Sequence, residues 1–381
     1  MPLFGKMKVD FKETNIMRII AAVDSFKGTL SSLDISKILK EQYEKDNNEV
    51  ITVPISDGGE GFLDTIGYYT KKPFLEVPTY GPLMDEGTSH YIIDGHTAYV
   101  ELSRVVGLNE ISSERLNPLR TTTFGLGKLV DNILNHPVDR IVIGIGGSST
   151  NDGGAGFLQA MGVQFFAGDQ LMEAPMNGSN IANVTSINTD HLHPRLQDVE
   201  VILALDVSNP LLGENGCTNV YSKQKGATLE ALTQLENAMN NFANVIENHI
   251  GRQIRHQPGM GAAGGFSFGV SAIFNAKITS GISFIIDLIN LEEIIKNSDL
   301  VFVGEGRLDH QTEFGKAPMG VANLAKKHAK KVIGIFGSQE NGFKQNFFDQ
   351  AYVIVPKYAD ESMSMKNPKA ALEKMLSEIK V

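Results

Sequence analysis

Short apolar, β-branched stretches punctuate the chain at 18–23, 50–55, 140–145, 300–303, 331–336 and 352–355. Each is followed by a loop rich in Gly or Asp and then by residues with helical spacing. Runs of this length without polar alternation predict strands buried on both faces, as in a parallel sheet. Between them, Ser31 and Ser32 can cap a helix whose Leu33, Ile35, Ile38, Leu39 and Tyr43 share one face, and 60–69 has the same spacing. Strand alternating with helix predicts a doubly wound, mostly parallel, Rossmann-like α/β sheet.

Two regions break that rhythm. At 76–115 the segment HYIIDGHTAYVEL predicts a hairpin turning at Asp94 and Gly95, and 161–284 mixes loops, strands and helices. Together they predict an inserted second α/β domain. The sheet domain is then expected in three pieces, 17–75, 116–160 and 285–381, its strand ends facing the insertion across a cleft. Residues 1–16 precede the first strand signal and are expected to form a disordered extension.

Composition narrows the function classes. A net charge of −10 over 381 residues leaves no basic stripe for a nucleic acid. No apolar run approaches the roughly 18 residues of a membrane span, so a soluble, cytoplasmic protein is expected. The single cysteine, Cys217, rules out a disulfide within the chain and reads as a small structural residue rather than a nucleophile. Monomer and homodimer are both compatible with these numbers.

In open parallel sheets ligands bind beyond the C-terminal strand ends, so the loops that follow the strands carry the functional information. Four are unusually rich: Asp24-Ser25-Phe26-Lys27-Gly28, Asp57-Gly58-Gly59-Glu60-Gly61, the run GGSSTNDGG from Gly146 to Gly154, and Gly304-Glu305-Gly306-Arg307-Leu308-Asp309. Consecutive glycines let backbone N–H groups approach an anion, hydroxyls and cations bind phosphate oxygens, and carboxylates can hold Mg²⁺ and orient a hydroxyl. Turn chemistry alone accounts for any one such loop. It does not call for the charges of Lys27, Glu60, Arg307 and Asp309 beside them, and the combination points to phosphoryl transfer.

Standard nucleotide signatures are missing. No GxxxxGK[ST] occurs, and the GxGxxG match at 259–264 follows a polar segment rather than a strand. That glycine run offers either backbone amides to an anion or close packing of small residues. The paired His191 and His193 sit beside Pro194 in a turn, and no GxSxG elbow is present.

The motifs VDSFKG, SDGGEG, NPLRTTTFGLG, GIGGSSTNDGGAG, DVSNPL, QKGAT, GMGAAGG and GEGRLDHQTEFGK run in this order from about Met17 to Ser338. In composition and order the chain resembles the bacterial type I glycerate kinases. The resemblance implies ATP-dependent phosphorylation of D-glycerate, commonly to 2-phosphoglycerate, with Mg²⁺ as cofactor and two α/β domains around a cleft. The chain departs from the family pattern at Ser56, at Glu101-Leu102-Ser103, and at 221–227, where Ser222 and Lys223 replace a turn Gly and Pro. These departures bear on substrate detail more than on reaction type.

Chemistry assigns the roles. Lys27 and Arg307 neutralise phosphoryl charge, and Asp57 or Asp152 accepts the substrate hydroxyl proton. Amides and hydroxyls of Gly146, Gly147, Ser148, Thr150, Asn151, Gly261, Gly264 and Gly265 cradle anionic oxygens. Asp24, Ser25, Gly58, Gly59 and Glu60 complete the substrate and phosphate contacts, and Asp206 or Asp309 holds Mg²⁺. Glu305, Gln311 and Lys316 stand behind them. The rival readings are a kinase for a related hydroxy acid, a dinucleotide-dependent oxidoreductase, for which the glycine fingerprint after a strand is missing, and a non-catalytic sugar-acid sensor on the same fold.

Overall fold

A computed structural model describes residues 16–313 and 316–381. The side chains of Gln311 and Glu313, and all but the last residue of the 1–16 extension, lie outside the described set. The chain forms β1 (Arg18–Val23) and β2 (Glu49–Thr52), then leaves to build β3 (Leu75–Tyr80), β4 (Glu86–Asp94), β5 (Thr97–Glu101) and β6 (Arg140–Gly144). Three short strands, β7 (Gln164–Ala167), β8 (Gln170–Leu171) and β9 (Ser186–Asn188), precede β10 (Glu200–Ala204) and β11 (Lys277–Thr279). It returns for β12 (Leu300–Leu308), β13 (Lys331–Gln339) and β14 (Gln350–Val353).

The first sheet has the order β14-β13-β12-β1-β2, all parallel. Chain order reverses between β1 and β12, the switch point where open α/β sheets bind ligands. The second sheet runs β11-β10-β6-β5-β4-β3 and is antiparallel only across the β3-β4-β5 meander. The hairpin at Asp94 and Gly95 is present, with Asp94 paired to Thr97.

One strand falls elsewhere than its sequence suggested. β6 pairs with β5 and β10, so the 116–160 segment adds no strand to the first sheet, which is assembled from two stretches of chain rather than three. The cause is burial: Ile141 and Ile143 pack into the core beneath the second sheet, while Val142 packs toward the first with Ile20 and Val301. A strand buried on both faces is apolar throughout, whichever sheet it joins.

Local signals account for the helices flanking β1 and β2. Ser31 accepts the Asp34 N–H and starts the helix Ser32–Tyr43, whose Ile35, Ile38, Leu39 and Tyr43 are buried. Glu60 and Gly61 form the turn before the helix Phe62–Thr70, and the buried Glu101 carboxylate accepts the Gly61 and Leu63 N–H groups at its start. β12 runs five residues beyond the run at 300–303, because Glu305, Arg307 and Leu308 continue the ladder against β13. Glu305 and Arg307 therefore sit two apart on one face of a strand rather than in a free loop.

Candidate active site

The strand ends of the two sheets meet. A Cβ on Gly58 would stand 2.6 Å from the Ala204 carbonyl oxygen at the end of β10, and one on Gly146 would stand 2.6 Å from the Gly59 Cα. The Gly146 N–H donates to the Gly58 carbonyl at 3.2 Å. Glycine is needed here because two backbones touch, and Gly58 also has a φ of +88°.

Beside this junction lies a cavity of about 1050 Å³. Its walls include the β1 loop with Asp24, Ser25 and Lys27, the β2 loop with Glu60, the Phe62–Thr70 helix, and Arg104 and Gly147 from the second sheet. Lys27 lines it, and its ammonium donates at 3.1 Å to Oδ2 of Asp57, which lies outside the cavity walls; 57% of the Lys27 side chain is exposed and 15% of that of Asp57. Asp57 Oδ1 accepts the Gly59 N–H at 2.8 Å.

Two neighbouring carboxyls are driven apart in this cluster. Burial pushes Asp24 well above its ordinary value, and the charge of Asp57 adds to it. Burial pushes Asp57 the same way, but Lys27, the Gly59 N–H and Lys316 outweigh it and hold the carboxyl low. Asp57 in turn raises the Lys27 pKa against the cost of burial. The two carboxyls are thus shifted in opposite directions, a pattern that acid–base sites use. Glu305 bonds Thr312 at 2.7 Å and Lys316 at 3.3 Å, and Lys316 also lies 3.6 Å from Asp309. Arg307 is exposed on the face it shares with Glu305, outside the cavity walls. Ser25 Oγ is buried at the cavity wall without a hydrogen-bond partner.

Several expected site residues hold the scaffold instead. Asp152 is completely buried and accepts four hydrogen bonds, from the Thr123 N–H and hydroxyl and from the Gly154 and Gly156 N–H groups. That saturation leaves it no part as a proton acceptor. Asn151 is equally buried, between Thr218 and Ser222. The glycines at 261–265 are there for packing: the Gly261 N–H donates to Asn209, the Gly265 N–H to Gly261, and Gly264 presses on Thr150. Ser148 and the Thr150 carbonyl are held from behind by the buried Lys225 ammonium, at 2.9 and 2.7 Å. Burial lowers the Lys225 pKa to about 8. Of the expected anion cradle, only Gly147 lines the cavity.

Gly264→Ala tests this packing. Its Cβ would stand 2.0 Å from the Thr150 carbonyl oxygen at a φ of +66°. Overpacking plus a left-handed backbone is expected to cost roughly 2 to 4 kcal/mol, read from urea unfolding. A variant as stable as the parent would refute the packing role.

Asp206 is corrected as well. Both its oxygens cap the helix Gly281–Ile289, accepting from the Ser280 hydroxyl at 2.6 Å and from the Gly281 and Ile282 N–H groups at 2.9 and 3.2 Å. That leaves it poorly placed as a metal ligand. Among the described residues no cluster of three His, Cys, Asp or Glu side chains could hold a metal ion by itself. Burial pushes Asp206 up from 3.8 to about 7, against the Ser280 bond and with help from the charge of Asp57. Because the folded value lies above the unfolded one, its contribution to stability is full below about pH 4 and is lost as pH rises through about 7. Between pH 5 and 8 the melting temperature is expected to fall further for the parent than for Asp206→Asn. Parallel curves would sink this assignment.

Sequence reasoning missed three residues. Arg104 lines the cavity, bonds Asp64 at 2.5 Å and Glu101 at 3.4 Å, and lies over Phe74; it follows the noted Glu101-Leu102-Ser103 but carries no motif of its own. Phe74 is outside every motif. Lys225 lies within QKGAT, where the motif marks it without revealing its burial. Cys217 is buried, its thiol pushed up to about 11, as expected of a structural residue.

A parallel sheet with opposed charges at its switch point, beside a deep cavity, fits a phosphotransferase that acts on small molecules. The chain belongs to the glycerate kinase family, whose family model matches residues 19–381. It is 36% identical to a glycerate kinase of Halalkalibacterium halodurans over 95% of this chain and 97% of that one. It is 37% identical to the glycerate 2-kinase of Escherichia coli, over 84% of this chain and 85% of the relative. A crystal structure carrying the name glycerate kinase 2, from Salmonella typhimurium LT2, superposes with a TM-score of 0.79 at 33% identity, covering 95% of this chain and 96% of that one. Among the described residues no helix is long and apolar enough to cross a membrane.

Proposed function

We propose that the chain transfers the γ-phosphoryl group of ATP to the 2-hydroxyl of D-glycerate at the charged end of the cavity. The observation that carries this reading is the Lys27–Asp57–Asp24 cluster at the switch-point strand ends, in a chain of this family. The printed name of the Escherichia coli relative supports the 2-position. Cavity walls drawn from both sheets support reading the sheets as domains that bind substrates between them.

In the reaction the glycerate hydroxyl oxygen bonds to the γ-phosphorus, the bond from that phosphorus to the β–γ bridging oxygen breaks, and ADP leaves. The hydroxyl proton passes to Asp57, which Lys27 keeps ionised and oriented. Lys27 in turn offsets charge on the transferring group, the larger part of catalysis where position and electrostatics dominate. Mg²⁺ bound through nucleotide phosphates needs only one or two carboxylates. Asp24, which accepts the Ser25 N–H, would serve there in its ionised form better than Asp206, which three bonds hold, and Mg²⁺ would neutralise phosphate charge there.

Purified protein given ATP, Mg²⁺ and D-glycerate is expected to release ADP only when glycerate is present, and phosphorus NMR of the product to show the 2-phosphate. No glycerate-dependent ADP release over several divalent ions and pH values would end the kinase reading. A 3-phosphate signal would overturn the position.

A further inference from the structure

The cavity is far larger than a three-carbon acid requires. Its volume of about 1050 Å³ lies at the top of the range, roughly 300 to 1,000 Å³, in which proteins bind drug-sized ligands. Its lining is also mixed. Besides Asp24, Ser25 and Lys27 and the charged Glu60, Asp64 and Arg104, it is lined by the apolar or aromatic Leu33, Pro54, Ile55, Tyr68 and Phe74.

Phe74 stands out in that lining because 41% of it is exposed, although most large apolar side chains here are buried. The Arg104 guanidinium lies 5.4 Å from its ring centroid, and His90 meets it edge-on at 6.3 Å. An exposed aromatic ring beside a cationic plane, opening on a cavity, suits a flat aromatic ligand. Elsewhere in the lining the orphaned Ser25 hydroxyl points to a polar ligand group, because a buried hydroxyl without a partner costs free energy until one is supplied.

In the glycine loops the Thr150 hydroxyl is likewise buried without a partner, but it does not line the cavity. The N–H groups of Gly146, Ser149, Gly153, Gly261 and Gly265 are already given to backbone carbonyls. We propose that the cavity is the nucleotide site, with the adenosine of ATP on the Tyr68–Phe74 wall and its phosphates running toward Ser25 and Lys27. This rests on the kinase reading above and adds to it the direction in which ATP lies. Glycerate then enters from the Asp57 side, at the end where the γ-phosphate arrives.

The test titrates AMP-PNP with Mg²⁺ into the full-length protein by calorimetry, without glycerate, for the parent, Phe74→Ala and Phe74→Trp. Thermal melts check that each variant is folded, as its exposed position leads one to expect. Phe74→Ala should weaken AMP-PNP binding about tenfold, the size of base stacking on an aromatic side chain, and Phe74→Trp should restore it. The KM for glycerate should move by less than about twofold. AMP-PNP affinity unchanged in Phe74→Ala, or a loss confined to the glycerate KM, overturns the assignment while leaving the kinase reading intact. Conversely, a parent protein that binds AMP-PNP with this Phe74 dependence but releases no glycerate-dependent ADP overturns the kinase reading and keeps the nucleotide site.

Discussion

Lys27→Ala is expected to lower kcat at least a hundredfold while its melting temperature stays within a few degrees of the parent's. The two expectations come from one geometry. The Lys27 side chain is more exposed than buried, so it contributes little to the fold, and exposed ion pairs add about 1 kcal/mol or less. At the cavity wall, however, its ammonium is the cation bonded to Asp57 and its charge also acts on Asp24. A charge aimed at a transferring phosphoryl group is typically worth a hundredfold or more, about 2.7 kcal/mol of barrier. Lys27→Arg should recover only part of the rate, since a planar guanidinium does not occupy the place of a compact ammonium. Steady-state kinetics beside thermal melts decide the matter. A loss of under threefold in kcat/KM, less than about 0.7 kcal/mol of transition-state binding, would remove Lys27 from the site.

Asp152→Ala should show the reverse, a protein that fails in stability before it fails in chemistry. The substitution leaves the Thr123, Gly154 and Gly156 donors without an acceptor in a fully buried loop. Breaking such a network typically costs roughly 3 to 5 kcal/mol, which for a chain of this size is a fall of about 4 to 6 °C in melting temperature. Asp152→Asn should lose less, since it keeps one oxygen as acceptor while its amide NH₂ faces donors. Thermal melts and urea unfolding of both variants check this. Were Asp152→Ala to melt like the parent yet lose its turnover, the carboxylate would be a catalytic group after all.

These two aspartates show how much of the site could be read from residues. Both stand in a loop after a strand, beside glycines, and local sequence treats them alike. Asp57 lies at the contact between strand ends of different sheets and meets Lys27 from another loop. Asp152 turns inward and is saturated by the helix start that follows it and by Thr123. The direction of a side chain out of a glycine-rich turn depends on what packs behind the turn, which spacing does not encode. The same holds for the run at 261–265, whose amides looked available until the backbone of 150–153 was found against them.

By itself the sequence determined the alternation of strand and helix, the hairpin at Asp94 and Gly95, and the helix start at Ser31. It also determined the family, because apolar runs, caps and turn residues act over a few positions and motifs are read in order. Tertiary structure alone decided which sheet β6 joins, since a strand buried on both faces looks the same in either. It also decided that Glu305 and Arg307 extend a strand, because the ladder with β13 is a pairing between segments distant in the chain. The cavity itself, which Arg104, Phe74 and the loop of Lys27 line, exists only once the two sheets bring their strand ends together. Burial and long-range contact set those outcomes, and neither is a property of a local stretch of residues.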